Sequence, residues 1–325
     1  MKSQVHKKNR KPIISVVIPT FQAGKLLGNC LRSIAMQDYP LSKFEILIID
    51  GGSTDRTLEI AKKFNAVIIH NPRKDAESGK AIGIEHAKGE IVALIDADNE
   101  IVHKNWISEM VKPFLKEKEI FGVESPWLVR KKDSYLNQYF AMLKISDPLA
   151  RRFHPKMKII DKGDYIVYKV KLGSTPVVGA NGFLYRKKYI KMTGFGDKFE
   201  EVNFVAKLVN NGYLSYAVPK NVGIYHHYVS SLTDYVKKRI KIGRKFMKRK
   251  SRGQLTWVDQ ATNQNFAAAV LYNISIISPL IEAIREYKRT RNRAWFWHPV
   301  VSFLTIIVYA VIFITFKIFN AYGRK

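Results

Sequence analysis

Cysteine is almost missing from this 325-residue chain. The one present, Cys30, can form no internal disulfide, so stability has to come from a packed core. Leu26, Leu27, Leu31 and Ile34 surround it at the spacing of one buried helix face, which makes the thiol a core group. Acidic residues are scarce as well. The 27 Asp and Glu stand against 55 Lys and Arg, a formal charge of +28. Such a balance attracts anions: nucleic acid, anionic lipid or phosphorylated substrates. The basic stretch 1–11 lacks an apolar run and does not read as a signal peptide, so the domain after it is expected to stay in the cytoplasm. Long apolar runs are few. Residues 300–316 are uncharged and apolar, and Ile318 and Phe319 extend them past Lys317 towards the ~20 residues that a bilayer crossing needs. Residues 266–281 are uncharged too, but Asn273, Ser275, Ser278 and Pro279 interrupt them and Glu282 ends them.

What is present is an alternation of short β-branched runs and amphipathic stretches. Strands are expected at 13–19, 44–49, 67–69 and 91–95, with helices through Cys30, at 58–64 and near 81–87. That order predicts a mostly parallel sheet with helices on both faces, which binds ligands at the C-terminal ends of its strands. Residues 121–172 show no clear pattern and read as loops and short elements covering the site. Strands return at 177–185 and 214–218, with a helix at 201–210 between them. Beyond Ser231, residues 235–250 form a basic helix candidate, and ten Lys and Arg lie between 237 and 252 beside the apolar segments, a lipid-surface pattern. The chain thus divides into a basic tail (1–11), an α/β domain (12–232), a basic amphipathic interface segment (233–260) and a C-terminal membrane region with a transmembrane helix (261–325). A hairpin through both apolar segments places Arg285, Lys288, Arg289, Arg291 and Arg293 on the outer side, against the positive-inside tendency, unless the first segment lies in the interface or re-enters.

The strongest chemical signal is Asp96-Ala97-Asp98, directly after the strand at 91–95. Two carboxylates at the sheet edge of a basic protein suit a hard divalent cation, Mg2+ or Mn2+, that bridges the protein to a diphosphate. Asp98 is the expected direct ligand, with Asp96 reaching the ribose or, through water, the metal. Ser53, Thr54 and Asp55 ahead of Thr57-Leu58 look like a helix N-cap.

SVVIPTFQ at 15–22, IDGGSTDRT at 49–57 and AKGE at 87–90, leading into Asp96-Ala97-Asp98, together resemble family 2 glycosyltransferases of the GT-A fold over about residues 12–232. The resemblance implies inverting transfer of a sugar from a UDP- or GDP-linked donor to a lipid-linked or cell-surface glycan acceptor, at the cytoplasmic face of the cell membrane. It implies that Pro19, Thr20 and Gln22 line the nucleotide, that Asp50 reads the base, and that Lys80 approaches the diphosphate. Many members carry a second acid where this chain has Gly51, which leaves uracil and guanine both open. Glu201 falls at the general base's position, as Glu in place of the usual Asp, with Glu200 as its rival. Gly179, Asn181 and Gly182 resemble the acceptor-side loop. His226, His227, Lys238, Lys241 and Arg244 correspond to the region that closes over the diphosphate, with at most one of the two histidines as a further metal ligand. The processive members' Gln and Arg-Trp signature is absent, since Lys238 stands where Gln would and no Trp follows Lys241. The competing readings are a nucleotidyltransferase-like enzyme, whose Gly-rich loop the run FQAGK at 21–25 does not supply, and a non-catalytic basic membrane or nucleic-acid binder. The latter gives no reason for Asp96, Asp98, Glu200 and Glu201 together, and no nucleic-acid partner is expected.

Overall fold

The computed structural model describes residues 11–253 and 266–322. The expected basic tail, apart from Lys11, lies outside the described residues, as do 254–265 at the junction of the interface and membrane segments and 323–325. The chain forms two compact units, Met1–Leu128 with Pro155–His226, and Val129–His154 with His227–Lys325.

In the first unit the strands are β1 (Ile14–Thr20), β2 (Phe44–Asp50), β3 (Val67–His70), β4 (Ile91–Leu94), β5 (Asn99–Ile101), β6 (Ile120–Glu124), β7 (Lys158–Asp161), β8 (Tyr165–Lys169), β9 (Phe183–Arg186), β10 (Ser215–Pro219) and β11 (Ile224–His226). Nine of them build one sheet in the order β3-β2-β1-β4-β9-β6-β10-β8-β7. The first four are parallel, β9 runs antiparallel between β4 and β6, and β10 is parallel to β6. Period-two alternation sends neighbouring β1 side chains to opposite faces. Val16 and Ile18 join a core with the helices Leu27–Ala35 and Trp106–Lys116, Cys30 included. Val17 joins another with the helices Ala76–His86 and Glu201–Asn210. Gly83 lets the helix Ala76–His86 lie on β1, because a Cβ there would sit 2.3 Å from Val17 Cγ1.

Two features depart from the sequence reading. Within the stretch read as loops, β6 enters the sheet and the β7–β8 hairpin extends its edge. Ile120, Phe121 and Val123 are buried on both faces, so β6 shows no alternation to read. Gly122 admits the Phe183 ring of β9, which lies 2.0 Å from where a Cβ would stand. The second departure is a small antiparallel ribbon, β5 with β11, whose register sets His226 opposite Asn99.

The second unit is helical. Residues 129–154 are part of this compact unit, where Leu136, Tyr139, Phe140 and Leu143 of the helix Tyr135–Leu143 share a core with Tyr228, Tyr235 and Trp295. The basic helix is Leu232–Lys250. Arg239 on it is not a surface charge: it is buried against Asp147, at 3.2 Å, and the Tyr228 hydroxyl, at 2.5 Å. Among the described residues one helix, Arg293–Ile318, is long and apolar enough to cross a membrane by length and composition. The earlier apolar stretch is broken. The helices Phe266–Ile274 and Ile277–Thr290 meet at 76°, at Ile276, whose φ is 56°. The Ser275 hydroxyl accepts from the Ser278 N–H and so starts the second helix afresh.

Candidate active site

The polar residues that follow β1, β2 and β4 share the C-terminal edge of the parallel strands. At the end of β2, Asp50 is buried and accepts four hydrogen bonds, from the Thr20 hydroxyl (2.9 Å), the Ser53 hydroxyl (2.7 Å), and the N–H groups of Gly52 (2.8 Å) and Ser53 (2.7 Å). Burial works against its charge, but these bonds, led by Ser53, outweigh it and hold the carboxyl below the ordinary aspartate range. A carboxylate offers about four lone-pair sites, so this one is fully engaged in shaping the Gly51–Gly52–Ser53 turn. Gln22, at φ 51°, stitches that turn to the loop after β1. Its N–H donates to the Ser53 hydroxyl at 2.8 Å and its amide donates to Thr54 at 2.9 Å. Asp55 accepts from the N–H groups of Gly24 (2.9 Å) and Thr57 (3.0 Å), a structural role, while the N-cap position of the helix Thr57–Lys63 falls to Arg56, without a side-chain cap. Pro19 packs beneath, near Gly79.

After β4 the chain turns tightly. The Asn99 side chain accepts from the Asp96 N–H and the Asn99 N–H donates to the Asp96 carbonyl, both at 3.0 Å. Below this turn the Cys30 sulfur lies 3.7 Å from the Asp96 carbonyl. Burial, with the charges of Asp98 and Asp96, pushes the thiol well above its ordinary range, so it serves as packing rather than as a nucleophile. The turn aims its two carboxylates differently. Asp98 lies 3.6 Å from His226 Nε2, a pair created by the β5–β11 register. Asp96 faces Lys80 at 3.6 Å.

Lys80 is buried, and its ammonium also donates to Glu201 in the first turn of the helix Glu201–Asn210. Burial disfavours its charge, yet the carboxylates around it, Asp96 first and Glu201 next, hold the ammonium well above the ordinary lysine range. The lysine expected at a diphosphate thus bridges Asp96 and the candidate base. Of the two acids at the start of that helix, Glu201 is the one brought to Lys80, while Glu200 occupies the N-cap position. Gly179 lies against Glu201. It has φ +112°, and a Cβ there would meet the Tyr185 hydroxyl at 2.2 Å and Glu201 Cβ at 3.1 Å. Asn181 (φ 49°) and Gly182 (φ +87°) continue the turn, and the Gly182 N–H bonds the Leu94 carbonyl at the end of β4.

Of the two histidines, at most one of which the sequence offers as a metal ligand, His226 lies beside Asp98, and the described residues gather no group of three or more His, Cys, Asp and Glu. Adjacent strand residues point oppositely. His226 turns to Asp98 and packs edge-on against Trp127 (ring centroids 4.7 Å apart), whereas His227, in the second unit, contacts Arg130 at 3.3 Å. Asp98 and His226 nonetheless suit one hard cation. Their 3.6 Å separation lies in the roughly 3 to 4 Å range of two ligands that share an ion at about 2.1 Å, and Mg2+ usually takes one or two carboxylates and completes its shell with water and substrate phosphates. Lys238, Lys241 and Arg244 belong to the second unit. Lys238 donates to the Tyr228 carbonyl, and Lys241 and Arg244 are exposed. The links that sequence reasoning missed are the Lys80 bridge, the Asn99 clasp and Trp127. Only Asn99, three residues past Asp96 in a turn, left a readable signal.

This architecture is that of the GT-A fold. A mannosyltransferase from Pyrobaculum calidifontis, solved with GDP-Man and Mn2+, superimposes with a TM-score of 0.57 at 17% identity, over 94% of this chain and 87% of that one. The sequence model described as Glycosyl transferase family 2 matches residues 15–192, more than half of the chain, which therefore belongs to that family. Among curated relatives, the glycosyltransferase AglE of Haloferax volcanii is 33% identical over 106 residues, 31% of this chain and about a third (34%) of that protein. A longer alignment, 27% identical over 316 residues, covers 90% of this chain and 92% of the dolichyl N-acetyl-alpha-D-glucosaminyl phosphate 3-beta-D-2,3-diacetamido-2,3-dideoxy-beta-D-glucuronosyltransferase of Methanococcus voltae.

Proposed function

We propose that this protein is an inverting, metal-dependent glycosyltransferase that moves a sugar from a UDP- or GDP-linked donor to a lipid-linked or glycan acceptor, attached to the cell membrane with its catalytic unit facing the cytoplasm. The observation that carries the reading is the Lys80 bridge, which brings Asp96 of the metal-side turn and Glu201 within reach of one ammonium. The Methanococcus voltae relative, whose name specifies a dolichyl-phosphate-linked sugar, favours a lipid-linked acceptor, and the GDP-Man and Mn2+ of the Pyrobaculum enzyme favour a nucleotide donor with a divalent ion.

Asp98 and His226 would hold Mg2+ or Mn2+, which when bound supplies positive charge for the departing diphosphate. In this reading Asp96 would reach the ribose, and the Pro19–Gln22 segment and the Asp50-shaped turn would line the nucleotide. With Asp50 saturated, hydrogen bonds to the base fall to hydroxyls and backbone of that turn. Glu201 takes the proton from the acceptor hydroxyl as its oxygen forms the bond to the anomeric carbon and the bond from that carbon to the diphosphate oxygen breaks. A carboxylate held by an ammonium is a weak base, so this mechanism requires the Lys80–Glu201 contact to open when the donor binds. The product's anomeric configuration, read by NMR, is expected to be opposite to the donor's. Glu201→Gln is expected to lower kcat by about 10^2 to 10^4 with donor binding nearly intact. A retained configuration, or full activity in Glu201→Gln, would overturn the mechanism.

A further inference from the structure

The C-terminal helix Trp297–Tyr322 is apolar enough to span a bilayer, yet its faces differ. His298, Ser302, Thr305 and Tyr309 line one side. His298 pairs with the Tyr139 hydroxyl (2.8 Å), Ser302 with His298 (3.4 Å), Thr305 with the Tyr235 hydroxyl (2.5 Å), and Tyr309 with Asp147. The other side exposes Val300, Phe303, Ile307, Val311, Ile314 and Ile318, at intervals of three and four residues. Val301, Val308 and Ile312 are buried among the polar groups of the covered side, so the helix is apolar overall and its exposed side is a continuous apolar stripe.

The polar face is covered by the helix Leu232–Lys250. Tyr235 meets Thr305, Arg239 meets Tyr309 at 3.4 Å, and Gly243 meets Ile312, where a Cβ would come within 2.6 Å of the Ile312 side chain. These contacts climb both helices together, so the two lie side by side and run the same way. Past Ile312 the described helix continues for roughly ten residues, about 15 Å at 1.5 Å per residue, half the thickness of a bilayer core. A spanning orientation would carry the exposed Lys237, Lys241, Arg244 and Lys248 of the basic helix into hydrocarbon, where charged groups are strongly disfavoured. The helix Ile277–Thr290 is two-faced as well: Pro279, Glu282 and Ala283 are buried, and Ile277, Leu280, Ile281 and Ile284 are exposed.

We propose that the second unit is monotopic: the helices Ile277–Thr290 and Trp297–Tyr322 lie in the plane of an anionic membrane surface, apolar stripes among the acyl chains and Lys and Arg towards the lipid phosphates, and neither crosses. The charge argues for lipid as the occupant, because exposed basic side chains border the apolar stripes. The arrangement also keeps Arg285, Lys288, Arg289, Arg291 and Arg293 on the side of the basic helix, which removes the conflict with the positive-inside tendency.

The inference rests on the membrane attachment proposed above, and depth measurement separates the two. Val300→Cys, Ile307→Cys and Ile314→Cys, each in the full chain, take a spin label cleanly because the natural cysteine, Cys30, is fully buried. The label's depth is then read by power saturation on vesicles of phosphatidylglycerol and phosphatidylcholine. Fourteen residues of helix extend about 21 Å. In-plane helices give three depths within a few ångströms of one another, about 5–10 Å below the headgroups. A depth that changes by most of that 21 Å between Val300 and Ile314 overturns the in-plane placement and leaves attachment standing. No lipid contact at any site, with strong coupling between labels of two chains, overturns both and makes the face an interface between copies.

Discussion

Lys80 is buried and pairs with two carboxylates, those of Asp96 and Glu201. Breaking a buried ion pair by removing one partner typically costs about 3–5 kcal/mol. Lys80→Met is therefore expected to lower the melting temperature clearly and to depress kcat beyond the loss in folded protein, whereas Lys80→Arg should recover the fold and only part of the rate. Equal activity per folded molecule in Lys80→Met would confine the lysine to structure. Asp50 supplies a test in acid. Its folded-state carboxyl ionises below the ordinary aspartate value of about 3.9, so as pH falls the unfolded chain takes up the proton first. Its stabilisation is complete above about pH 4 and fades as the pH drops through the folded value. Unfolding followed against pH should show a flatter acid limb for Asp50→Asn, together with weaker nucleotide binding because the turn loses its anchor.

The helix Ala76–His86 lies on β1 through one residue, since Gly83 leaves no room for a methyl group beside Val17. Overpacking of this kind costs typically about 1–3 kcal/mol. Gly83→Ala should destabilise by that much, and Val17→Ala combined with it should lose less than the sum of the two single changes, because the second makes room for the first. Simple additivity in thermal unfolding would show that the helix does not rest on β1 as described. The same element explains what was legible. β1, β2 and β4 announced themselves by β-branched runs and by the polar residues after them, and the buried face of Leu27, Cys30, Leu31 and Ile34 by its spacing. β6 did not, since a strand buried on both faces carries no alternation. The β5–β11 ribbon has three residues on each side and is held by pairing across the chain, so the contact of His226 with Asp98 had no local signal, and neither did the Lys80 to Glu201 contact between residues far apart in sequence.

On the scale of the whole molecule, the charge of +28 gathers strongly on the helix Leu232–Lys250. Each basic residue near an anionic surface contributes on the order of 1 kcal/mol, while each placed at the bilayer centre costs about 3 kcal/mol, so the same four exposed charges favour a surface and oppose a span. Replacing Lys237, Lys241, Arg244 and Lys248 with glutamine should weaken binding to anionic vesicles by about 10^2-fold or more in a sedimentation assay at low salt, with little change on neutral vesicles. The difference should shrink as salt rises, since the Debye length falls to about 8 Å near physiological ionic strength. A preference for RNA over such vesicles at matched charge would return the basic helix to nucleic acid.

Central to the proposed function, Asp98 holds the metal that binds the donor. Purified protein incubated with a panel of UDP- and GDP-linked sugars, with Mn2+, with Mg2+ or with a chelator, reports on that directly through release of the free nucleoside diphosphate. The expected result is release from one nucleotide class, dependent on the metal, abolished by the chelator and by Asp98→Ala, with metal-dependent nucleotide binding weakened in that variant. Release that persists undiminished under chelation or in Asp98→Ala, or no turnover of any nucleotide-sugar by the folded protein with metal and lipid acceptor present, would contradict it.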